Sequence, residues 1–89
     1  MQEREVVIEN KLGMHLRAAA VFIETANKFH CQVHVRKNSR AINAKSIMGL
    51  MTLGATYGST ITVMTDGENE AEALEALVAL VKNRFGEKE

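Results

Sequence analysis

At 89 residues with 46% hydrophobic side chains, the chain suits one compact domain, residues 1–89, and is too short for two. Lys and Arg total 11 and Asp and Glu total 11, so no overall field recruits nucleic acid or an anionic membrane, and partner choice must come from local patches. A single cysteine, Cys31, excludes an internal disulfide, and the charged start Met1-Gln2-Glu3-Arg4-Glu5 reads neither as a signal peptide nor as a membrane span, so a soluble, cytoplasmic protein is expected.

Glu5 to Glu9 carries Val6, Val7 and Ile8, β-branched residues that predict a first strand, and Asn10-Lys11-Leu12-Gly13 breaks it. The period then changes. Ala19, Phe22, Ile23, Ala26 and Phe29 recur at helical spacing, which predicts a helix from about Leu16 to Asn27 or Lys28 with one apolar stripe for a sheet. Cys31, Val33 and Val35 alternate with Gln32, His34 and Arg36 as in a half-buried strand. Lys37-Asn38-Ser39-Arg40 supplies turn chemistry, so Ala41-Ile42-Asn43 returns as the second arm of a hairpin.

Ser46 to Gly54 reads as a short helix with Ser46 at its N-cap and Gly54 just past its end. If Ile47, Leu50 and Leu53 face the core, Met48 and Met51 are left on the surface, where adaptable methionines suit a surface that meets several partners. Thr60 to Thr65 predicts a fourth strand after the Gly58 turn, and Asp66-Gly67 ends it. Asn69 with Glu72 three residues on resembles a capping box for a last helix buried through Leu74, Leu77, Val78, Val81 and Phe85 and stopped by Gly86. The order strand, helix, strand, strand, helix, strand, helix fits an α+β domain of two layers, three helices on one face of a sheet whose other face meets water.

The chemistry concentrates in Gly13-Met14-His15-Leu16-Arg17-Ala18-Ala19-Ala20. A helix N-terminus offers unpaired N–H groups and the positive end of the macrodipole, which together make an anion site. Arg17 adds a fork of donors shaped for phosphate oxygens. His15 at that helix start is placed to carry a phosphoryl group on a ring nitrogen, against the plainer reading of a surface or capping histidine. Ser46 reads first as an N-cap; a phosphate there would sit on a helix N-terminus beside Met48 and Met51 and would repel an acidic partner without unfolding the chain. His30, Cys31 and His34 do not make a metal site on this reading, because Cys31 and His34 fall on opposite faces of a strand. No cofactor or metal is expected. No Walker loop, nucleophile elbow or paired-cysteine zinc spacing is present.

With these residues in place the whole chain resembles the HPr family, the histidine-containing phosphocarriers of the bacterial phosphoenolpyruvate-dependent phosphotransferase system. Asn10-Lys11-Leu12-Gly13-Met14-His15-Leu16-Arg17 is similar to the family's phosphohistidine loop, and Ala44-Lys45-Ser46-Ile47-Met48-Gly49-Leu50-Met51 to the segment holding its regulatory serine; His15 and Ser46 lie thirty-one positions apart. The resemblance implies an open-faced sandwich of a four-stranded antiparallel sheet in order 1-4-2-3 with three helices on one face. It implies a carrier rather than an enzyme. Enzyme I would pass a phosphoryl group to Nδ1 of His15, which would hand it to IIA domains of permeases, for sugars or in a nitrogen-related branch. Arg17 and the backbone amides of Leu16, Arg17 and Ala18 would hold its oxygens.

By the same resemblance an HPr kinase/phosphorylase would act on Ser46, and Ile47, Met48 and Met51 would belong to the docking surface, with a monomer as the resting state. The family's usual proline is replaced by Ala18, which keeps the helix and implies a slightly less rigid site. Two other readings stand beside this one. A regulatory paralogue would work mainly through Ser46, and a ferredoxin-like ligand-binding module would show ligand-dependent stabilisation and carry no phosphoryl group.

Overall fold

The computed structural model describes residues 1–89. Strand β1 spans Gln2–Val7, helix α1 Leu16–Ala26, β2 Gln32–Lys37, β3 Arg40–Asn43, α2 Ile47–Thr52, β4 Thr60–Asp66 and α3 Glu70–Lys82, followed by a short turn at Arg84–Gly86. The four strands form one antiparallel sheet in the order β1-β4-β2-β3. This is the expected open-faced arrangement.

Register decides which side chains meet. Val6 lies opposite Ile61, and Val63 is flanked by Arg4 and Val35. Val6, Val33, Val35, Ile61, Val63 and Thr65 thus share the covered face, where they are buried, while Glu5, Thr62 and Arg36 line up on the other. Helix α1 closes the covered face with Ala18, Ala19, Phe22 and Ala26, α2 with Leu50, and α3 with Ala73, Leu74, Leu77, Val78 and Val81. These residues belong to one apolar cluster of 22 buried side chains.

Arg4 projects from β1 to grip Glu75 of α3 with two hydrogen bonds, Nη1 to Oε1 at 3.1 Å and Nη2 to Oε2 at 2.7 Å. That fork links α3 to the edge strand at the surface.

Several expected boundaries move. β1 begins at Gln2 rather than Glu5 and stops at Val7, because its whole length pairs with β4. Its charged residues conceal the alternation: one face of this edge strand is open to water, and Arg4 on the other reaches outward to Glu75. Ile8 is fully buried beyond the strand's end, with its N–H donated to the Ser59 carbonyl at 2.9 Å. Cys31 precedes β2 and is buried in the core. The hairpin turns through Asn38, whose φ of 58° is a left-handed value that asparagine tolerates.

The expected capping box at Asn69 is not formed. Asn69 precedes α3, but with φ of 57° it makes no side-chain cap bond, and Glu72 does not reach back. The turn is closed instead by Glu70, whose Oε1 accepts from the Gly67 N–H at 3.0 Å, and by Thr65, whose hydroxyl donates to the Glu70 carbonyl at 2.8 Å. At the other end α3 stops at Lys82 instead of running through Phe85. Arg84, Phe85 and Gly86 all have positive φ, which turns the chain back and still buries the Phe85 ring.

Candidate functional site

The loop before α1 is fastened at three points. Gly13 donates its N–H to the Asn10 carbonyl at 3.0 Å, Met14 donates to the Ala55 carbonyl at 2.9 Å, and the fully buried Asn10 donates Nδ2 to the Gly13 carbonyl at 2.7 Å. Gly13 has φ of 69°, a conformation that favours glycine. Met14 is buried, which leaves His15 as the next residue outward.

His15 is the N-cap of α1, with φ of −78° and ψ of 179°. The first intrahelical bond runs from the Ala19 N–H to the His15 carbonyl at 2.8 Å, so the N–H groups of Leu16, Arg17 and Ala18 have no partner within the helix. The first turn holds no acidic residue to neutralise them. Arg17 is exposed, and the Ala18 side chain is buried against the core.

The side chain of His15 is not free on both sides. Its Nε2 lies 2.5 Å from Oε2 of Glu87, while Oε1 of Glu87 accepts from Asn10 Nδ2 at 3.0 Å. An ionised carboxylate only accepts, so Nε2 carries a proton, and in the neutral ring that leaves the lone pair on Nδ1. Burial alone would raise the Glu87 carboxyl, but hydrogen bonds from His15 and Asn10, with the charge of Arg17 and that of the His15 ring when it is protonated, together hold it below the usual carboxylate range. The tail is pinned further by a bond from the Lys11 N–H to the Glu89 carbonyl. Lys11, Leu12, His15, Arg17, Glu87 and Glu89 border one recess at the surface.

Ser46 caps α2 as expected. Its hydroxyl oxygen accepts from the Gly49 N–H at 3.2 Å, and its carbonyl accepts the first helical bond from the Leu50 N–H at 3.1 Å. Of the three side chains assigned to docking, Met48 is 70% exposed and Met51 41%, whereas Ile47 packs partly against the core. Leu12 and Leu16, on the histidine side, are 71% and 62% exposed. Helices α1 and α2 touch, so the two groups of exposed apolar residues sit on neighbouring elements.

Asn10 and Glu87 are the site residues that sequence reasoning did not single out. Glu87 follows Gly86 in a polar tail, and no periodicity marks it; only the reversal at Arg84–Gly86 brings it to a histidine 72 residues away. His30, Cys31 and His34 border one small recess without forming a group that could hold a metal: Cys31 is buried, and His34 lies opposite Met64 and Asn43 in the sheet. No group of three or more His, Cys, Asp or Glu side chains is close enough to hold a metal ion, and no helix is long and apolar enough to cross a membrane.

The family profile described as PTS HPr component phosphorylation site matches residues 2–83. The sequence is 52% identical to the phosphocarrier protein HPr of Cupriavidus necator, over 100% of each chain. Among solved structures, the crystal structure of HPr-C-His from Thermoanaerobacter tengcongensis superimposes with a TM-score of 0.96, 45% identity and 100% of each chain covered. Bacillus subtilis Crh, a catabolite repression protein crystallised as a swapped dimer, matches with a TM-score of 0.77 at 42% identity, over 94% of this chain and 97% of its own.

Proposed function

The chain belongs to the HPr family of phosphocarrier proteins of the phosphotransferase system, and from that premise we propose that His15 is the residue that carries the phosphoryl group, on Nδ1. It is a carrier and not an enzyme. The observation that supports this assignment above the others is the contact of His15 Nε2 with Glu87 at the unpaired N-terminus of α1, which in the neutral ring leaves the lone pair on Nδ1.

In the reaction the Nδ1 lone pair attacks phosphorus in line with the bond to the donor, Enzyme I. A nitrogen–phosphorus bond forms as the donor's bond breaks, and the electron pair of that bond returns to the donor. Phosphoryl transfer of this kind needs little more than alignment and charge stabilisation. The amides of Leu16, Arg17 and Ala18, unpaired at the start of α1, and the guanidinium of Arg17, which borders the same recess as His15, would supply both. Transfer onward to a IIA domain reverses the same step.

Met48, Met51, Leu12 and Leu16 provide the apolar ground for docking, with Ile47 contributing from beneath. Because donor and acceptor both need that ground open, the carrier works as a monomer, and in the cytoplasm, where those partners meet it. A second function at Ser46, phosphorylation by an HPr kinase/phosphorylase, is supported by a hydroxyl that caps a helix beside this apolar patch, and by the likeness to Crh.

The test is intact-protein mass spectrometry after incubation with phosphoenolpyruvate and Enzyme I, before and after mild acid. One acid-labile phosphoryl group on the wild type and none on His15→Ala is the expected result. A His15→Ala protein that still takes up the group sinks the assignment, and label only with ATP and the kinase leaves the Ser46 regulatory reading.

A further inference from the structure

We propose that Glu87 is a positioning residue for His15: held by Asn10, its carboxylate fixes the imidazole in the Nε2–H tautomer and so keeps Nδ1 nucleophilic. This deepens the carrier reading and rests on it.

Three observations lead there. Glu87 and His15 are both part-buried, and their contact at 2.5 Å is direct. The carboxylate is itself oriented, because Oε1 takes the Asn10 Nδ2 proton at 3.0 Å while Oε2 faces the ring. Asn10 is in turn immobilised, fully buried and bonded to the Gly13 carbonyl at 2.7 Å. The chain Asn10, Glu87, His15 therefore ties the ring to the same loop that presents it.

Neutral imidazole has two tautomers, and the one protonated at Nδ1 has no lone pair there to give. A carboxylate on Nε2 removes that competitor. As Nδ1 bonds to phosphorus the ring becomes an imidazolium with its proton on Nε2, and the Glu87 charge lies against that proton, on the far side of the ring from the incoming phosphoryl oxygens. The same arrangement, a buried acceptor orienting a histidine through its second nitrogen, serves in hydrolase triads and around metal-bound histidines. A passive tether of the tail would need neither the ring nitrogen nor the second bond from Asn10.

The experiment uses the whole chain with His15 labelled with nitrogen-15, at a pH where the ring is neutral. The wild type should show nitrogen shifts of the Nε2–H tautomer. Glu87→Ala should move them towards a mixture, and should lower kcat for phosphorylation by Enzyme I by roughly tenfold with KM unchanged, the scale seen when an orienting partner is removed. Glu87→Gln offers one carbonyl acceptor to two donors, Asn10 Nδ2 and the ring, so it should leave the shifts and the rate between those of the wild type and Glu87→Ala.

Unchanged nitrogen shifts in Glu87→Ala, or shifted ones with wild-type kcat, overturn the proposal. If the shifts move as expected but the wild type accepts nothing from Enzyme I, the carrier reading fails while the hold of Glu87 on the ring stands. A thermal melt on each variant separates these results from a loss of fold.

Discussion

Gly13 and Ala55 meet so closely that no side chain fits between them: a Cβ on Gly13 would lie 2.8 Å from the Ala55 carbonyl oxygen and 2.9 Å from the Thr56 Cα. The same carbonyl accepts the Met14 N–H at 2.9 Å. The histidine loop is thus seated on the chain leading into β4 by backbone against backbone, with neither side able to yield cheaply.

Gly13→Ala should therefore cost roughly 1–3 kcal/mol, from positive φ and the backbone clash together. Urea denaturation should show a lower midpoint, and phosphoryl acceptance should fall as well, because His15 lies two residues along the displaced loop. A midpoint equal to that of the wild type would mean the loop can lift off Ala55 without penalty.

Variants of Ser46 test the helix cap and the proposed regulation separately. Ser46→Ala removes the acceptor for the Gly49 N–H and should lower stability by about 1 kcal/mol. Ser46→Asp keeps an acceptor and adds a negative charge where a helix N-terminus favours one, so its stability should stay at the wild-type level. Its acceptance of phosphoryl from Enzyme I should nevertheless slow by roughly tenfold, the equivalent of about 1.4 kcal/mol of repulsion at the docking face. A stopped-flow rate matching the wild type would remove Ser46 from regulation of this step.

Much of the molecule was legible in the sequence because period and turn chemistry agree. The alternation of Val33 and Val35, the Asn38 turn and the Leu74 to Val81 stripe each specify one element, while the strand order 1-4-2-3 followed from the family resemblance. The methionines could be assigned to the surface because α2 has more apolar residues than one face can hide. What stayed hidden has local causes. Gln2–Arg4 looked too polar for a strand because the sheet leaves one of its faces bare and Arg4 on the other reaches out to Glu75. Asn69 looked like a cap because residue type says nothing about a φ of 57°. Glu87 had no signature at all, since its meaning depends on a reversal of the chain at Phe85.

Acid should weaken the fold through specific pairs. Glu75 is lowered by its hydrogen bonds and Coulomb attraction to Arg4, and Glu70 by the Gly67 N–H and by the ammonium of Met1. A carboxyl depressed in the folded state stabilises above its unfolded value, about pH 4 to 5, and loses that contribution as pH falls through the folded value. The melting temperature should accordingly drop below about pH 5, and Glu75→Gln should flatten that fall while lowering the plateau at neutral pH. The Met1 ammonium has the opposite sign: raised by its bond to Glu70, it stabilises below its ordinary value and loses the effect as pH climbs through the folded one. An acid limb of equal slope in Glu75→Gln would show that the Arg4 fork contributes nothing to the pH dependence.

Arg17 is the residue whose loss should hurt chemistry and nothing else. It is exposed on the first turn of α1, and its charge already reaches across to Glu87. Truncating a surface residue of this kind changes stability by less than about 0.5 kcal/mol. The loss of one donor aimed at developing charge costs about a hundredfold or more in rate. Arg17→Gln should therefore melt with the wild type yet take phosphoryl from Enzyme I roughly a hundredfold more slowly. Arg17→Lys should recover only part of that, since an ammonium brings the charge without the planar fork that meets two oxygens together. If lysine restored the full rate, Arg17 would act as a charge alone, and the unpaired amides of Leu16, Arg17 and Ala18 would have to orient the group by themselves.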